Sequence, residues 1–139
     1  MIDDKLSRRI LIAAGILGAL AIAVGAFGSH QLPKFLVARR LDSETIERRV
    51  DQFDTAARYH LIHAVAIMVV STIPYGTPMV RKIVAGLFIA GIVLFSGSLY
   101  ILVLTNTPKM GAITPIGGVF WIAAWLSLVF VAQKRKAVS

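Results

Sequence analysis

Cysteine is absent from all 139 residues, which excludes disulfides, thiol chemistry and thiolate metal sites. Acidic residues are scarce, with seven Asp and Glu against fifteen Lys and Arg, and the formal net charge is +8. Charged residues of both signs make up only 16% of the chain, whereas 57% is hydrophobic and the mean hydropathy is +0.76. Soluble domains carry about 25% charge, so this composition points to a membrane protein. The cations bracket apolar runs and form no long basic face, which argues against nucleic acid and for placement against anionic lipid headgroups. The apolar stretches also lack a Gly-x-Ser-x-Gly elbow, a Ser-x-x-Lys pair and a carboxylate pair. No nucleophile, base and orienting group can be assembled from them, so the sequence predicts no enzyme.

What is present is a set of apolar runs separated by turn signals. Residues 10–28 follow a basic leader with Lys5, Arg8 and Arg9, and Ile10 to Phe27 contain no charge. As a helix that run reaches about 27 Å, close to the ~30 Å hydrocarbon core. A cleaved secretory signal is the rival reading, with Ala26-Phe27-Gly28 as its cleavage site, but the apolar run exceeds the usual ~7–15 residues. Gly18, Ala21, Gly25 and Gly28 recur at steps of three and four, the pattern of a close helix-packing face in lipid.

Residues 33–53 are polar and mixed in charge. Pro33 suits the first turn of a short helix, and Asp42-Ser43 suits the cap of a second. Ile46, Val50, Phe53 and Ala57 form one stripe, with Arg48, Arg49 and Asp51 off it, so the segment reads as an amphipathic helix in the membrane interface or packed over the bundle mouth, with a solvated loop helix free of lipid contact as the rival reading. The apolar run from Leu61 to Ile73 measures only about 20 Å. Crossing ~30 Å moves the start of this second span back to about Asp54 and carries Arg58, Tyr59, His60 and His63 into the slab or to its edge. After the Pro74–Pro78 turn come Arg81-Lys82 and a third span over 83–104, in which Gly86 and Ala90 form a small-residue pair. Thr114-Pro115 reads as an N-cap and first turn for a fourth span over 115–132, which contains Trp121 and Trp125 and is closed by Gln133-Lys134-Arg135-Lys136.

The expected architecture is therefore all-α, a four-span transmembrane helical bundle forming one membrane domain over 1–139, with an amphipathic helical segment between spans 1 and 2. Four spans put both termini on one side. The positive-inside rule makes that side cytoplasmic, because Lys5, Arg8, Arg9, Arg81, Lys82 and the C-terminal Lys134, Arg135 and Lys136 gather there against only Asp3 and Asp4. The expected location is the cell (inner) membrane.

In this topology four motifs fall at one depth in the outer half of the bundle: Gly25-Ala26-Phe27-Gly28-Ser29-His30, Phe53-Asp54-Thr55-Ala56-Ala57-Arg58-Tyr59-His60, Phe95-Ser96-Gly97-Ser98-Leu99-Tyr100 and Ile113-Thr114-Pro115-Ile116-Gly117-Gly118. In this order they resemble the YgdD/YwdK-like family of small multi-span membrane proteins, a family of unknown function. The resemblance covers nearly the whole chain. It implies an integral membrane protein of this size and brings no activity, substrate or cofactor with it.

The candidate site comprises His30, Arg58, Tyr59, His60, His63, Ser96, Ser98, Tyr100 and Thr114, since polar groups inside a membrane tend to be functional. Three readings follow. In the first, these groups bond across helices in a non-enzymatic accessory subunit that assembles with itself or with a larger membrane complex, among membrane lipids. In the second, Arg58 and His60 bind or transport a small anion or lipid headgroup, although Asp54 at i−4 is a ready ion-pair partner for Arg58. In the third, His30, His60 and His63 ligate a metal or a haem, a reading weakened by the lack of an adjacent carboxylate. No cofactor is identified from sequence.

Overall fold

The computed structural model describes residues 4–132; Asp3 and the Gln133–Lys136 stop lie outside them. The described chain is helical in the order α1 (Asp4–His30), α2 (Leu32–Ala38), α3 (Ser43–Thr72), α4 (Pro78–Gly91), a π-helical turn (Ile92–Ser96), α5 (Gly97–Thr105), a 3-10 turn (Pro108–Ala112) and α6 (Thr114–Val131). Three stretches are long and apolar enough to cross a membrane: Lys5–His30, Pro78–Thr105 and Pro108–Val131. The expected 54–73 span is the second half of α3, whose 30 residues run about 45 Å. The expected 33–53 segment is split between α2 and the first half of the same α3, so no break separates the charged stretch from the apolar one. No Gly or Pro occurs between Ser43 and Thr72 to end the helix there.

Local chemistry sets the helix ends. The Asp42 carboxylate accepts a 2.9 Å bond from the Thr45 amide, which caps α3 and holds the Asp42 carboxyl below its ordinary value. Thr77 caps α4 at the Val80 amide, with Pro78 in the first turn. Thr114 does not cap α6 as its position before Pro115 suggests. It lies inside the helix, and its hydroxyl turns to α5 instead. Asn106 ends α5 at φ 50, the left-handed region that asparagine tolerates.

α1 packs chiefly along α3, and α4 chiefly along α6. Two buried clusters result. One gathers Ile67, Val84, Phe88, Trp121 and Ala124 around Ile10 and Ala14. The other gathers Leu32, Leu36, Phe53, Leu99 and Val103. Phe95, within the π turn, borders both. In lipid these clusters gain little from leaving water, so close packing carries their stability. Three glycines permit that packing: Gly28 lies against the Phe53 ring, Gly91 beneath Trp121, and Gly117 against the Phe95 backbone. The small-residue face expected on α1 serves the bundle only through Ala21 and Gly28. Gly15, Gly18 and Gly25 have nothing within 4 Å of an added Cβ, and neither has Gly86 on α4.

Candidate functional site

Of the sequence-predicted polar groups, His60, His63, Ser96, Ser98, Tyr100 and Thr114 make contacts that cross between helices. Ser96, fully buried, donates from Oγ to the Ala56 carbonyl of α3 at 2.8 Å. Ser98 gives its only proton to the Phe95 carbonyl at 2.9 Å, so in its 2.8 Å contact with Thr114 the threonine is the donor. His60 Nδ1 lies 3.2 Å from the Tyr100 hydroxyl, and Phe53 packs on the Tyr100 ring at 5.0 Å. The π turn widens the helix by one residue per turn. It ends on Ser96 and directly precedes Ser98 and Tyr100, where these side chains reach α3 and α6.

His60 and His63 have separate surroundings. His63 Nδ1 donates to the Tyr59 carbonyl at 2.7 Å, and its Nε2 accepts from the Trp125 indole N–H at 3.3 Å, which fixes the tautomer. Its ring lies flat on Trp121, with centroids 3.7 Å apart and 2° between the planes. Tyr59, Phe88 and Phe95 surround that stack. Both nitrogens of His63 are thus committed to the protein. His60 is 5% exposed, and its Nε2 is buried without a hydrogen-bond partner. It lines an apolar cleft of 480 Å³ between α1, the π turn, α5 and the 3-10 turn, where Leu20, Val24, Ile92 and Met110 form much of the wall. A buried imidazole nitrogen left unbonded is costly and calls for an explanation.

Arg58 lies apart from this core. Arg58 pairs with Asp54 at 2.5 Å, with both side chains about two-thirds exposed (66% and 64%). An exposed i, i+4 pair contributes about 0.3–0.5 kcal/mol. Tyr59 is partly exposed beside Phe95, and His30 ends α1 at the surface. Among the described residues no three His, Asp or Glu side chains are grouped so that they could hold a metal ion.

Outside the predicted set, Arg81 and Arg39 cap helix C-termini, and Arg49 holds the side chain of Asn106 at the end of α5. Arg81, 3% exposed, donates to the Val70 and Ser71 carbonyls at the end of α3 and to Ser7 Oγ of α1. Arg49, off the apolar stripe yet only 6% exposed, donates twice to Asn106 Oδ1, at 2.9 and 2.7 Å, and once to Gln52. Burial is the main cause that lowers its pKa, with Arg48 adding to it. Arg39 donates to the Leu104 carbonyl. The stripe rule assigns Arg49 to solvent, and no sequence signal names its partner. Only the left-handed tendency of asparagine hints at position 106.

Comparison with known proteins places the chain in a family. Residues 24–118 match the family described as protein of unknown function (DUF423). This chain belongs to the DUF423 family. Among its relatives, the UPF0382 membrane protein YwdK of Bacillus subtilis (strain 168) is 36% identical over 129 residues, covering 91% of this chain and 98% of its own length. The UPF0382 inner membrane protein YgdD of Escherichia coli (strain K12) is 34% identical over 136 residues, covering 96% and 97%. A UPF0382 membrane protein of Staphylococcus saprophyticus is 39% identical over 122 residues, covering 87% and 94%. No solved structure matches. This DUF423 chain is a membrane protein of a family whose activity is uncharacterised, as the sequence resemblance implies. The family match includes α3, the π turn, α5 and the start of α6, where the bonds of Ser96, Ser98, Tyr100 and Thr114 lie.

Proposed function

We propose that the chain is a four-span, non-enzymatic membrane subunit that forms one membrane domain over 1–139 and works by assembling with other membrane helices. The observation that carries this reading is the outward face of α1. Gly15, Gly18 and Gly25 have open space around them, and Ala19 and Ala26 are exposed beside them. Small residues let helix backbones approach closely in lipid, and these have no such use inside the chain. The fourth span is the second half of α3. From Leu61 to Val70 it combines buried Ala64, Ala66, Ile67 and Val70 with exposed Ile62, Val65, Met68 and Val69, so it is apolar on both its bundle and its outer face. Four spans place both termini together, on the cytoplasmic side by the positive-inside rule, with Lys5, Arg8, Arg9 and Lys82 at that end. The non-enzymatic reading is supported by Ser96 and Ser98, whose hydroxyl protons go to backbone carbonyls and not to a base.

Chemical cross-linking in native membranes tests the assembly. A cross-linked species larger than the monomer is expected, and Gly15→Leu with Gly18→Leu abolishes it while leaving the thermal unfolding of the purified chain unchanged. A monomer in both cases overturns the reading.

The unpartnered His60 Nε2 favours a second function, the capture of a lipophilic molecule with one polar group in the 480 Å³ cleft. Organic extracts of the purified chain then contain one enriched species that His60→Leu removes. Identical extracts from both forms overturn this reading.

A further inference from the structure

At the opposite end of the bundle, α1 and α4 diverge around a cleft of 920 Å³. Three cations line it, Lys5 and Arg9 from α1 and Lys82 from α4, and no carboxylate lines it among the described residues. Lys5 and Arg9 stand at i and i+4, where like charges repel, and Lys82 adds a third positive group from across the cleft. Beyond the cations the cleft is apolar, with Ile10, Ala13, Ala85, Gly86 and Ile89 forming its wall. Gly86 contributes no side chain, and an added Cβ there would meet nothing within 4 Å. The cleft lies on the side of α1 away from Gly15 and Gly18, so it is not the face used in the assembly reading.

We propose that this cleft binds an anionic phospholipid, with the phosphodiester held by Arg9, Lys82 and Lys5 and an acyl chain laid along Ile10, Ala13, Ala85 and Gly86. Charge complementarity selects this occupant over a second copy of the chain, because a protein of net charge +8 would bring further cations to a mouth where Arg9 and Lys82 already face each other from two helices. Basic pockets between membrane helices, open to the headgroup layer, hold anionic headgroups by the same combination of charge and apolar wall. The bare surface of Gly86 leaves room for the chain where any larger residue would fill it. This site lies at the other end of the bundle from His60 and Arg58, and it stands whether or not the assembly reading holds.

The test uses the full chain purified in a neutral detergent, with dioleoyl-phosphatidylglycerol and dioleoyl-phosphatidylcholine as probes and native mass spectrometry to count retained lipid. The wild-type chain is expected to retain the glycerol lipid about tenfold or more over the choline lipid. Arg9→Gln with Lys82→Gln abolishes that preference. Gly86→Leu lowers retention of phosphatidylglycerol with the charge unchanged, since it fills the wall. Arg8→Gln removes an exposed cation that does not line the cleft and leaves the preference intact. Sodium phosphate at the same concentration does not displace the lipid, because it lacks the chain. Equal losses in the Arg8 variant and the Arg9/Lys82 variant would mean unspecific surface charge and overturn the proposal. Full retention by Gly86→Leu, or displacement by phosphate, would overturn the acyl-chain part and with it the site as drawn. The substituted positions are exposed, so thermal unfolding of each variant is expected to match the wild type.

Discussion

Arg81 shows how much one side chain carries in a small bundle. It satisfies two carbonyls at the end of α3 that no amide of the helix can reach, and it ties α4 to α1 through Ser7. Charged hydrogen bonds of this kind are worth about 1.5–3 kcal/mol each set against their loss. Arg81→Met is expected to destabilise the purified chain by at least that amount in a detergent unfolding titration. Arg81→Lys is expected to recover only part, because lysine has no planar fork to span two carbonyls and a hydroxyl. The sequence places Arg81 only as a cation flanking a span, since nothing in its neighbourhood announces the end of α3 as its target. The histidines were better legible, though only in position. Their i, i+3 spacing puts them on one face, yet 60° of rotation around the helix is enough to send His60 to Tyr100 on α5 and His63 to Trp121 and Trp125 on α6. His63→Phe preserves the stack on Trp121 and loses two hydrogen bonds, so it is expected to cost about 1–3 kcal/mol in the same titration.

At the level of elements, the glycines divide into those that let helices touch and those that do not. An added Cβ at Gly91 would meet the Trp121 indole, and one at Gly117 would meet the Phe95 backbone. Gly91→Ala and Gly117→Ala are each expected to destabilise by about 1–3 kcal/mol, whereas Gly15→Ala and Gly25→Ala are expected to be neutral or to stabilise by about 0.5–1 kcal/mol through helix propensity. Sequence spacing could not separate the two groups, because the small-residue pattern records only which residues share a face and not what lies opposite. The start of α3 carries a pH dependence. Its cap, Asp42, has a lowered pKa through its bond from the Thr45 amide. A depressed carboxylate contributes stability above its unfolded pKa, and that contribution is lost as pH falls through the folded value. Amides of Ser43 to Glu47 are therefore expected to lose protection, after correction for intrinsic exchange, as the pH falls through the acid range below 3.8, and Asp42→Asn is expected to flatten the change. The length of α3 was readable in one respect only. The absence of Gly and Pro from 43–72 leaves nothing to break it, but span arithmetic, which counts apolar residues, divides it at Asp54.

For the whole molecule, the absence of cysteine makes topology directly measurable, since any single introduced thiol is unique. With four spans, Ser29→Cys and Lys109→Cys react with a membrane-impermeant maleimide from one side, and Lys82→Cys reacts only after the membrane is opened or from the other. A Lys82 thiol that labels from the same side as Ser29, with the Lys109 thiol on the other side, would mean that α3 does not cross. Helix content and the three apolar spans were legible from hydropathy and punctuation, because each depends on local composition. The interhelical arginine caps were not, because they depend on which distant helix end lies within reach of a long side chain. One feature of the Pro78–Thr105 stretch bears on how the family is compared. The π turn at Ile92–Ser96 holds one residue more than an α-helical path would need between Gly91 and Gly97. Removing one of those residues returns the segment to an α-helical path between the same ends, so Leu99, Leu102 and Val103 keep the core that they share with Phe53, and Tyr100 keeps His60. A single-residue gap in this segment, when two relatives are aligned, thus marks the absence of the π turn and not a change of face, and positions after the gap remain equivalent.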